Sequence, residues 1–155
     1  VPFVSSQPQY SMLWRDPEAE VFPLCDANGI GQIVSSPLAQ GILSGKYAAG
    51  QSPAPGTRAA NAKMNGYLLR ELYADDTLNA VKKLVPLAHS LGLTMAQFAL
   101  AWVLQKPSVA SAIIGASRPE QVLENVSASG VALSPGVMKE VDAILHPVLR
   151  NRTLY

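Results

Sequence analysis

The sequence reads as an α/β chain built on a parallel sheet. Three short apolar or β-rich runs, at residues 1–6, 30–34 and 110–114, alternate with segments of helical periodicity. Strands separated by helices pair in parallel through right-handed crossovers, because a twisted strand feeding a right-handed helix packs back onto its sheet that way. With 48% hydrophobic and 15% charged residues, the 155-residue chain is too apolar for a disordered segment and sized for one core.

Each element follows from local signals. VPFVSS at 1–6 is β-rich and short. Asp16, Pro17 and Glu18 then combine a capping residue, a first-turn proline and an acidic first turn, predicting a helix over about 17–28 that ends at Gly29. IGQIV at 30–34 has strand length. From 35 to 65 the composition turns to Gly, Pro, Ser and Ala, a loop far longer than the usual connection of ~4–6 residues, and such loops tend to carry function. In DDTLNAVKKLVPLAHSLG, the residues Leu78, Val81, Leu84, Val85, Ala88 and Leu91 form one stripe closed by Gly92, and Pro86 is expected to kink or break it. Thr94 caps MAQFALAWVLQ, which is apolar on nearly every side and so expected to be buried, stopping before Pro107. ASAII at 110–114 is the third strand. Immediately afterwards Ser117-Arg118-Pro119-Glu120 reads as a capping box with a first-turn proline, so strand passes into helix at one corner. Ser134-Pro135 opens a last helix carrying Val137, Met138, Val141, Ile144 and Leu145. Three parallel strands are too few to close a sheet and would expose its edges, so the chain, which opens on a strand without an initiator Met, is expected to be cut from a larger architecture.

Charge and composition exclude several classes. Twelve Lys+Arg against eleven Asp+Glu give a net charge of +1, which offers no electrostatic case for nucleic acid or an anionic membrane. Any anion site must be local. One cysteine, Cys25, cannot form an internal disulfide, and with His89 and His146 it cannot build a four-ligand zinc site. No run reaches the ~18 apolar residues of a membrane span, and the start lacks a basic leader, so a cytoplasmic chain is the expectation.

Ligands of α/β proteins bind at the carboxyl ends of the strands, here after Ser6, Val34 and Ile114. Gln7 follows the first, where by itself it reads as a surface amide, with Tyr10 and Trp14 as packing. SSPLAQGILSGKY follows the second, with Gly41, Gly45, Lys46 and later Arg58. It is neither a phosphate loop nor a dinucleotide fingerprint, and by itself it is a turn-rich connection with a solvated lysine. GASRPEQ follows the third, where fresh helix N–H groups beside Arg118 make either an anion site or a capped helix with a surface arginine. Ser35 and Ser36 have no partner base and are disfavoured as nucleophiles. His89 and His146 read as structural or solvated, and Cys25 as a small buried hydrophobe.

Taken together, QPQYSMLWR (7–15), SPLAQGILSGKY (36–47) and IIGASRPEQVLEN (113–125) are similar, in order and spacing, to the C-terminal part of the aldo-keto reductases. The branch resembled includes the voltage-gated potassium channel β-subunits and related bacterial reductases, and the resemblance covers almost the whole chain. It implies a TIM (β/α)8 barrel of ~250 residues or more, of which residues 1–155 would be one incomplete piece: strands six to eight, their helices and a long cofactor loop at about 35–65. It implies NADP as cofactor. Gln7 matches the amide on the nicotinamide carboxamide, while Ser35 stands where the family usually stacks an aromatic ring. Ser36, Pro37, Leu38 and Ala39, with Gln40, match the segment along the ribose and pyrophosphate, and Lys46 and Arg58 the loop cations. Gly115, Ala116, Ser117, Arg118 and Gln121 match the motif for the 2′-phosphoadenosine end, and Glu124 and Asn125 the residues on adenine. The family's catalytic Asp, Tyr, Lys and His have no counterpart here, and Tyr10, Lys46 and the histidines do not replace them. The implied function is the NADP-binding C-terminal portion of a reductase of aldehydes or ketones. The alternatives are a non-catalytic nucleotide-sensing subunit and an inactive fragment stabilised by self-association. The implied partners are the missing N-terminal half of the barrel or a second copy, plus a carbonyl substrate, with no nucleic acid and no membrane.

Overall fold

Strands β1 (Ser5–Ser6), β2 (Gly31–Val34) and β3 (Val109–Ala112) form one parallel sheet in the order β1-β2-β3. The computed structural model describes residues 2–67 and 72–149, so Val1 of the expected first strand lies outside the described residues. Ser5 faces Gly31 and Ile33 faces Ser111, with a register irregularity between Gln32 and Ile33. The β1–β2 ladder continues past the strands: Ser35 N–H donates to the Pro8 carbonyl at 2.9 Å, and Tyr10 N–H to the Ser35 carbonyl at 3.1 Å. Strand order follows chain order, and the described sheet is open at both edges.

The first helix, α1 (Val21–Ala27), starts later than the expected residue 17. Residues Asp16–Glu18 form a separate 3-10 turn with Arg15 at its cap position and no side-chain cap bond. Pro23 is the reason: a helix running from 17 would put its ring against the carbonyl of Ala19. By restarting at Val21, the chain places Pro23 in a first turn, where no N–H is needed. Gly29, at φ +66, ends the helix as expected.

Helix α2 (Asp75–Ser90) continues through Pro86 without the break that was one of the two expected outcomes. Both Pro86 and Lys82, whose carbonyl loses its partner, lie on the exposed face, so water replaces the missing bond. The opposite stripe, Leu78, Val81, Leu84 and Ala88, is buried. The chain then turns by 90° into α3 (Met95–Val103), in which every residue except Gln97 is buried. Thr94 caps it reciprocally: its hydroxyl accepts from Gln97 N–H at 3.2 Å and its own N–H donates to Gln97 Oε1 at 2.9 Å. Helices α4 (Pro119–Val126) and α5 (Pro135–Leu145) follow β3, and the Ser134 hydroxyl caps α5 by accepting from Val137 N–H. Among the described residues no single helix is long and apolar enough to cross a membrane.

The core lies between the sheet and α2, α3 and α5. Tyr10 is its pivot, stacked on Trp102 with ring centroids 5.5 Å apart and edge-on to Phe22 at 4.8 Å. The Arg15 guanidinium lies 4.5 Å from the Trp102 ring centroid, and its Nη1 bonds Asp142 of α5 at 2.6 Å. Cys25 is buried and free. Two glutamines, Gln97 on α3 and Gln105 just past its end, hold the segment after β3. Gln97 Nε2 donates to the Glu124 carbonyl at 3.1 Å; Gln105 Nε2 donates to the Val131 carbonyl at 3.0 Å, and its Oε1 accepts from Leu133 N–H at 3.1 Å. The sheet margins, by contrast, carry bare apolar side chains. Phe3 is 85% exposed beside β1, and Leu123 is 73% exposed on α4 with Val126 next to it.

Candidate functional site

Parallel pairing brings the carboxyl ends of all three strands to one end of the sheet. Gln7, one residue past β1, is exposed there. Ser35, one residue past β2, donates its hydroxyl to the Pro8 carbonyl at 3.3 Å, so that oxygen's proton is spent on the neighbouring strand.

Beyond Ser35 the backbone makes an uncommon excursion. Ser36, Ala39 and Gln40 have φ of +54, +47 and +60, left-handed values that cost non-glycine residues roughly 1–2 kcal/mol each. Burial holds them there: Pro37 and Ala39 are buried, and Ile42 and Leu43 are fully inside the core. The side chains lock onto one another. Gln40 Nε2 donates to the Ser36 hydroxyl at 3.0 Å, and Arg58 Nη1 donates to Gln40 Oε1, closing the loop across eighteen residues. Leu38 packs against the core. Lys46 is exposed and folds back: its ammonium lies 5.4 Å from the Tyr47 ring centroid and 3.3 Å from where a Cβ on Gly41 would stand. Glycine at 41 is favoured by its φ of +94, whereas the exposed Lys46 side chain could move aside for a Cβ.

The corner after β3 is made differently. Gly115, Ala116, Ser117 and Arg118 are all exposed. The expected cap is displaced by one residue. Arg118 remains extended (φ −142, ψ 145), so α4 begins at Pro119 and its third residue is Gln121, not Glu120. Ser117 does not cap; its hydroxyl donates to Gln121 Oε1 at 3.2 Å. The same oxygen accepts from Ser117 N–H at 2.8 Å and Arg118 N–H at 3.2 Å. An open depression of about 610 Å³ lies here, lined by Ala116, Ser117, Arg118, Pro119, Val122 and Leu123. One turn further, Glu124 is half-buried with its carbonyl held by Gln97, and Asn125 is 8% exposed.

Six of the sixteen residues singled out in the sequence are brought together, in two hydrogen-bonded sets. The structure joins Ser36, Gln40 and Arg58, and separately Ser117, Arg118 and Gln121. Among the described residues no hydrogen bond or ion pair links the two sets. Sequence reasoning missed two things: the Gln40 bridge between Ser36 and Arg58, and the filling of the 117–118 donors by Gln121. The second had a signal, since glutamine at the third helical position commonly reaches back to the cap.

Other titratable groups lie apart. Tyr10 is fully buried and donates to Glu18 Oε1 at 2.6 Å, with Lys106 Nζ 3.2 Å from the same oxygen. Burial, reinforced by Glu18, raises its pKa far above that of an ordinary phenol. It cannot serve as a proton donor to a ligand. His89 and His146 are exposed at the ends of α2 and α5. Among the described residues no three His, Cys, Asp or Glu side chains gather as a metal site.

Comparison with known proteins gives this geometry its context. Residues 1–146 match the model of the aldo/keto reductase family. Over 145 residues the chain is 39% identical to a probable voltage-gated potassium channel subunit beta of Oryza sativa subsp. japonica, covering 92% of this chain and 44% of that protein. It is 35% identical over 145 residues to the L-glyceraldehyde 3-phosphate reductase of Escherichia coli (strain K12), covering 92% of this chain and 41% of that protein. The chain spans less than half the length of these relatives.

Proposed function

The chain belongs to the aldo/keto reductase family, and on that premise we propose that it supplies the NADP-binding portion, toward the C-terminal side of the barrel, of a reductase acting on aldehydes or ketones. The observation that carries this reading is the gathering, at one end of a parallel sheet, of Gln7, the locked Ser36–Gln40–Arg58 loop and the Ser117–Arg118 corner. The donor set suits a dinucleotide. Phosphates need N–H groups and cations, provided by the corner and by Lys46, Arg58 and Arg118. Adenine needs an amide, and no hydrogen bond engages the side chain of the buried Asn125 among the described residues.

When bound, NADPH supplies the hydride that reduces the carbonyl carbon. The protein's part is to bind and orient. Gln7 would hold the carboxamide. Ser35, small and bonded to Pro8, would bring no aromatic ring to the nicotinamide. The proton for the carbonyl oxygen comes from outside this set, since Tyr10 is sealed in the core. We assign it to the portion of the barrel that completes the sheet beside Phe3 and over Leu123 and Val126. Covering such side chains contributes about 1.5–3 kcal/mol each when burial is complete.

The test is NADPH oxidation with 4-nitrobenzaldehyde, by the chain alone and by the chain co-expressed with an N-terminal half taken from a related reductase. Turnover is expected only from the pair, because loss of general acid catalysis alone costs about 10²–10⁴ in rate. Aldehyde-dependent oxidation by the chain alone, shown free of other polypeptides by mass analysis, would overturn the assignment. Ser35 favours a second reading, a nucleotide-sensing subunit, in which the completed protein binds NADPH tightly yet does not turn over.

A further inference from the structure

The chain holds two Asn-Gly pairs, and the structure treats them differently. The pair at 28–29 is built into the end of α1. Asn28 Nδ2 donates to the Leu24 carbonyl at 2.8 Å, Asn28 N–H to the Cys25 carbonyl at 3.1 Å and Gly29 N–H to the Asp26 carbonyl at 3.3 Å. Gly29 itself stands at φ +66, the left-handed value that closes a helix. At 65–66 both residues are exposed and belong to a 3-10 turn of three residues, Asn65–Tyr67, a form whose hydrogen-bond geometry is poor. Asn65 N–H donates to the Asn61 carbonyl at 2.8 Å, but among the described residues no hydrogen bond engages its carboxamide. Beyond its chain neighbours, no described atom lies within 4 Å of where a Cβ on Gly66 would stand.

We propose that the Asn65-Gly66 pair is a site of self-modification, at which the side-chain amide is lost as ammonia and the main chain is partly rerouted through isoaspartate. The Gly66 backbone nitrogen gives up its proton to water and bonds to Asn65 Cγ. The Cγ–Nδ2 bond then breaks, and Nδ2 leaves as ammonia with a proton returned by water. The five-membered succinimide so formed takes up one water, which opens either of its two ring C–N bonds and leaves aspartate or isoaspartate. Nothing is oxidised or reduced, and water is the one co-reactant. Glycine matters because no Cβ shields the attacking nitrogen. At 28–29 the same attack needs the bonds to Leu24 and Asp26 released together with the left-handed cap, so it waits on local opening of the helix end. Either product is ionised at neutral pH. It brings an acidic group into residues 27–70, a stretch that carries Lys46, Arg58, Lys63 and Arg70 but no Asp or Glu. The modified turn is joined to Arg58: Asn61 N–H donates to the Arg58 carbonyl at 3.2 Å, and the Asn61 carbonyl accepts from Met64 and Asn65. Isoaspartate lengthens the main chain by a methylene at that point.

The test is incubation of the full chain at mildly alkaline pH, then trypsin digestion at mildly acidic pH and mass analysis of the peptides. Cleavage after Arg15, Lys46, Lys63 and Arg70 puts Asn28 in peptide 16–46 and Asn65 in peptide 64–70. Peptide 64–70 should gain the mass of amide-to-acid conversion about tenfold or more faster than peptide 16–46, a ratio equivalent to about 1.4 kcal/mol for opening the end of α1. The converted peptide should also accept methyl groups from S-adenosylmethionine in the presence of an isoaspartyl methyltransferase. In guanidinium chloride, where both pairs are released, the two rates should converge. Gly66→Ala has open space for its Cβ and a φ outside the left-handed region, so it should fold normally by circular dichroism and lose most of the conversion at 65. Equal rates at the two pairs in the folded chain would overturn the proposal, as would an amide at 65 that outlasts the one at 28. Undiminished conversion in Gly66→Ala would show direct hydrolysis by water and overturn the attack by the Gly66 nitrogen.

Discussion

The stretch from Ser36 to Arg58 and the corner from Gly115 to Asn125 flank the same end of the sheet but keep their shapes by different means. The first is threaded into the core: Ala39, Ile42 and Leu43 are buried beneath it, three non-glycine residues are held at left-handed φ, and Arg58 reaches back to Gln40. The second lies on the surface, where one glutamine fills the donors. Rigid packing supports strain, and strained loops can hold a ligand's long backbone without reorganising. A surface corner can rearrange, which suits the end of a ligand where discrimination is made. The two regions thus differ in how much support the rest of the chain gives them.

That contrast is open to direct attack. Ile42→Ala should have the largest effect, since removing a fully buried side chain costs about 2–5 kcal/mol. Urea denaturation should register the loss, and hydrogen exchange should place the added opening around residues 36–58 more than at 117–118. Equal loosening of both regions would show that they are one body.

Arg118→Ala comes next. A charge-assisted bond to a phosphate is worth about 1.5–3 kcal/mol, so 2′-AMP affinity should fall by about tenfold or more. Stability should move by no more than about 0.5 kcal/mol, as for most surface substitutions. An unaltered 2′-AMP affinity would remove Arg118 from the proposed phosphate contact.

The smallest effect per unit concerns the ground beneath the packed region. Burial and Glu18 keep the Tyr10 phenol protonated in the folded chain well above the usual pKa. The unfolded phenol ionises near pH 10, so above that pH the folded state binds the extra proton. The associated stability is full below about pH 10 and declines above it by about 1.4 kcal/mol per pH unit. Tyr10→Phe should flatten the alkaline limb of a stability–pH curve by that amount. Identical limbs would mean that Tyr10 gains access to water before the chain unfolds.

Much of the fold was legible because its periodicities are strong: the α2 stripe, the α3 helix apolar at all but Gln97 and the Ser134-Pro135 start all stand where local pattern puts them. Departures arose where two local rules competed. Pro17 and Pro23 both suit a first helical turn, and the structure honours the second with a true helix. Pro86 forbids one backbone bond, but on a wet face that bond is dispensable. At the candidate site, the residue types and order were legible from three motifs, yet their pairing was not. Whether Arg58 turns to solvent or to Gln40 depends on a contact across eighteen positions, which no local pattern encodes. Whether Ser117 or Gln121 serves the helix start depended on a single extended residue, Arg118.

The two glutamines, Gln97 on α3 and Gln105 just beyond its end, have a mechanical consequence. Gln97 spends one end of its amide on the Thr94 cap and the other on the Glu124 carbonyl, and Gln105, two turns along, clasps both Val131 and Leu133. Fraying at the beginning of α3 therefore lets go of the far end of α4 in the same event, and the 124–133 segment cannot peel away without breaking bonds that also belong to α3. These stretches should open as a single cooperative unit, with one shared protection factor, although β3 separates them in the chain. The exposed corner after β3 thus stands on a helix whose far end is tied to α3, the most fully buried helix among the described residues.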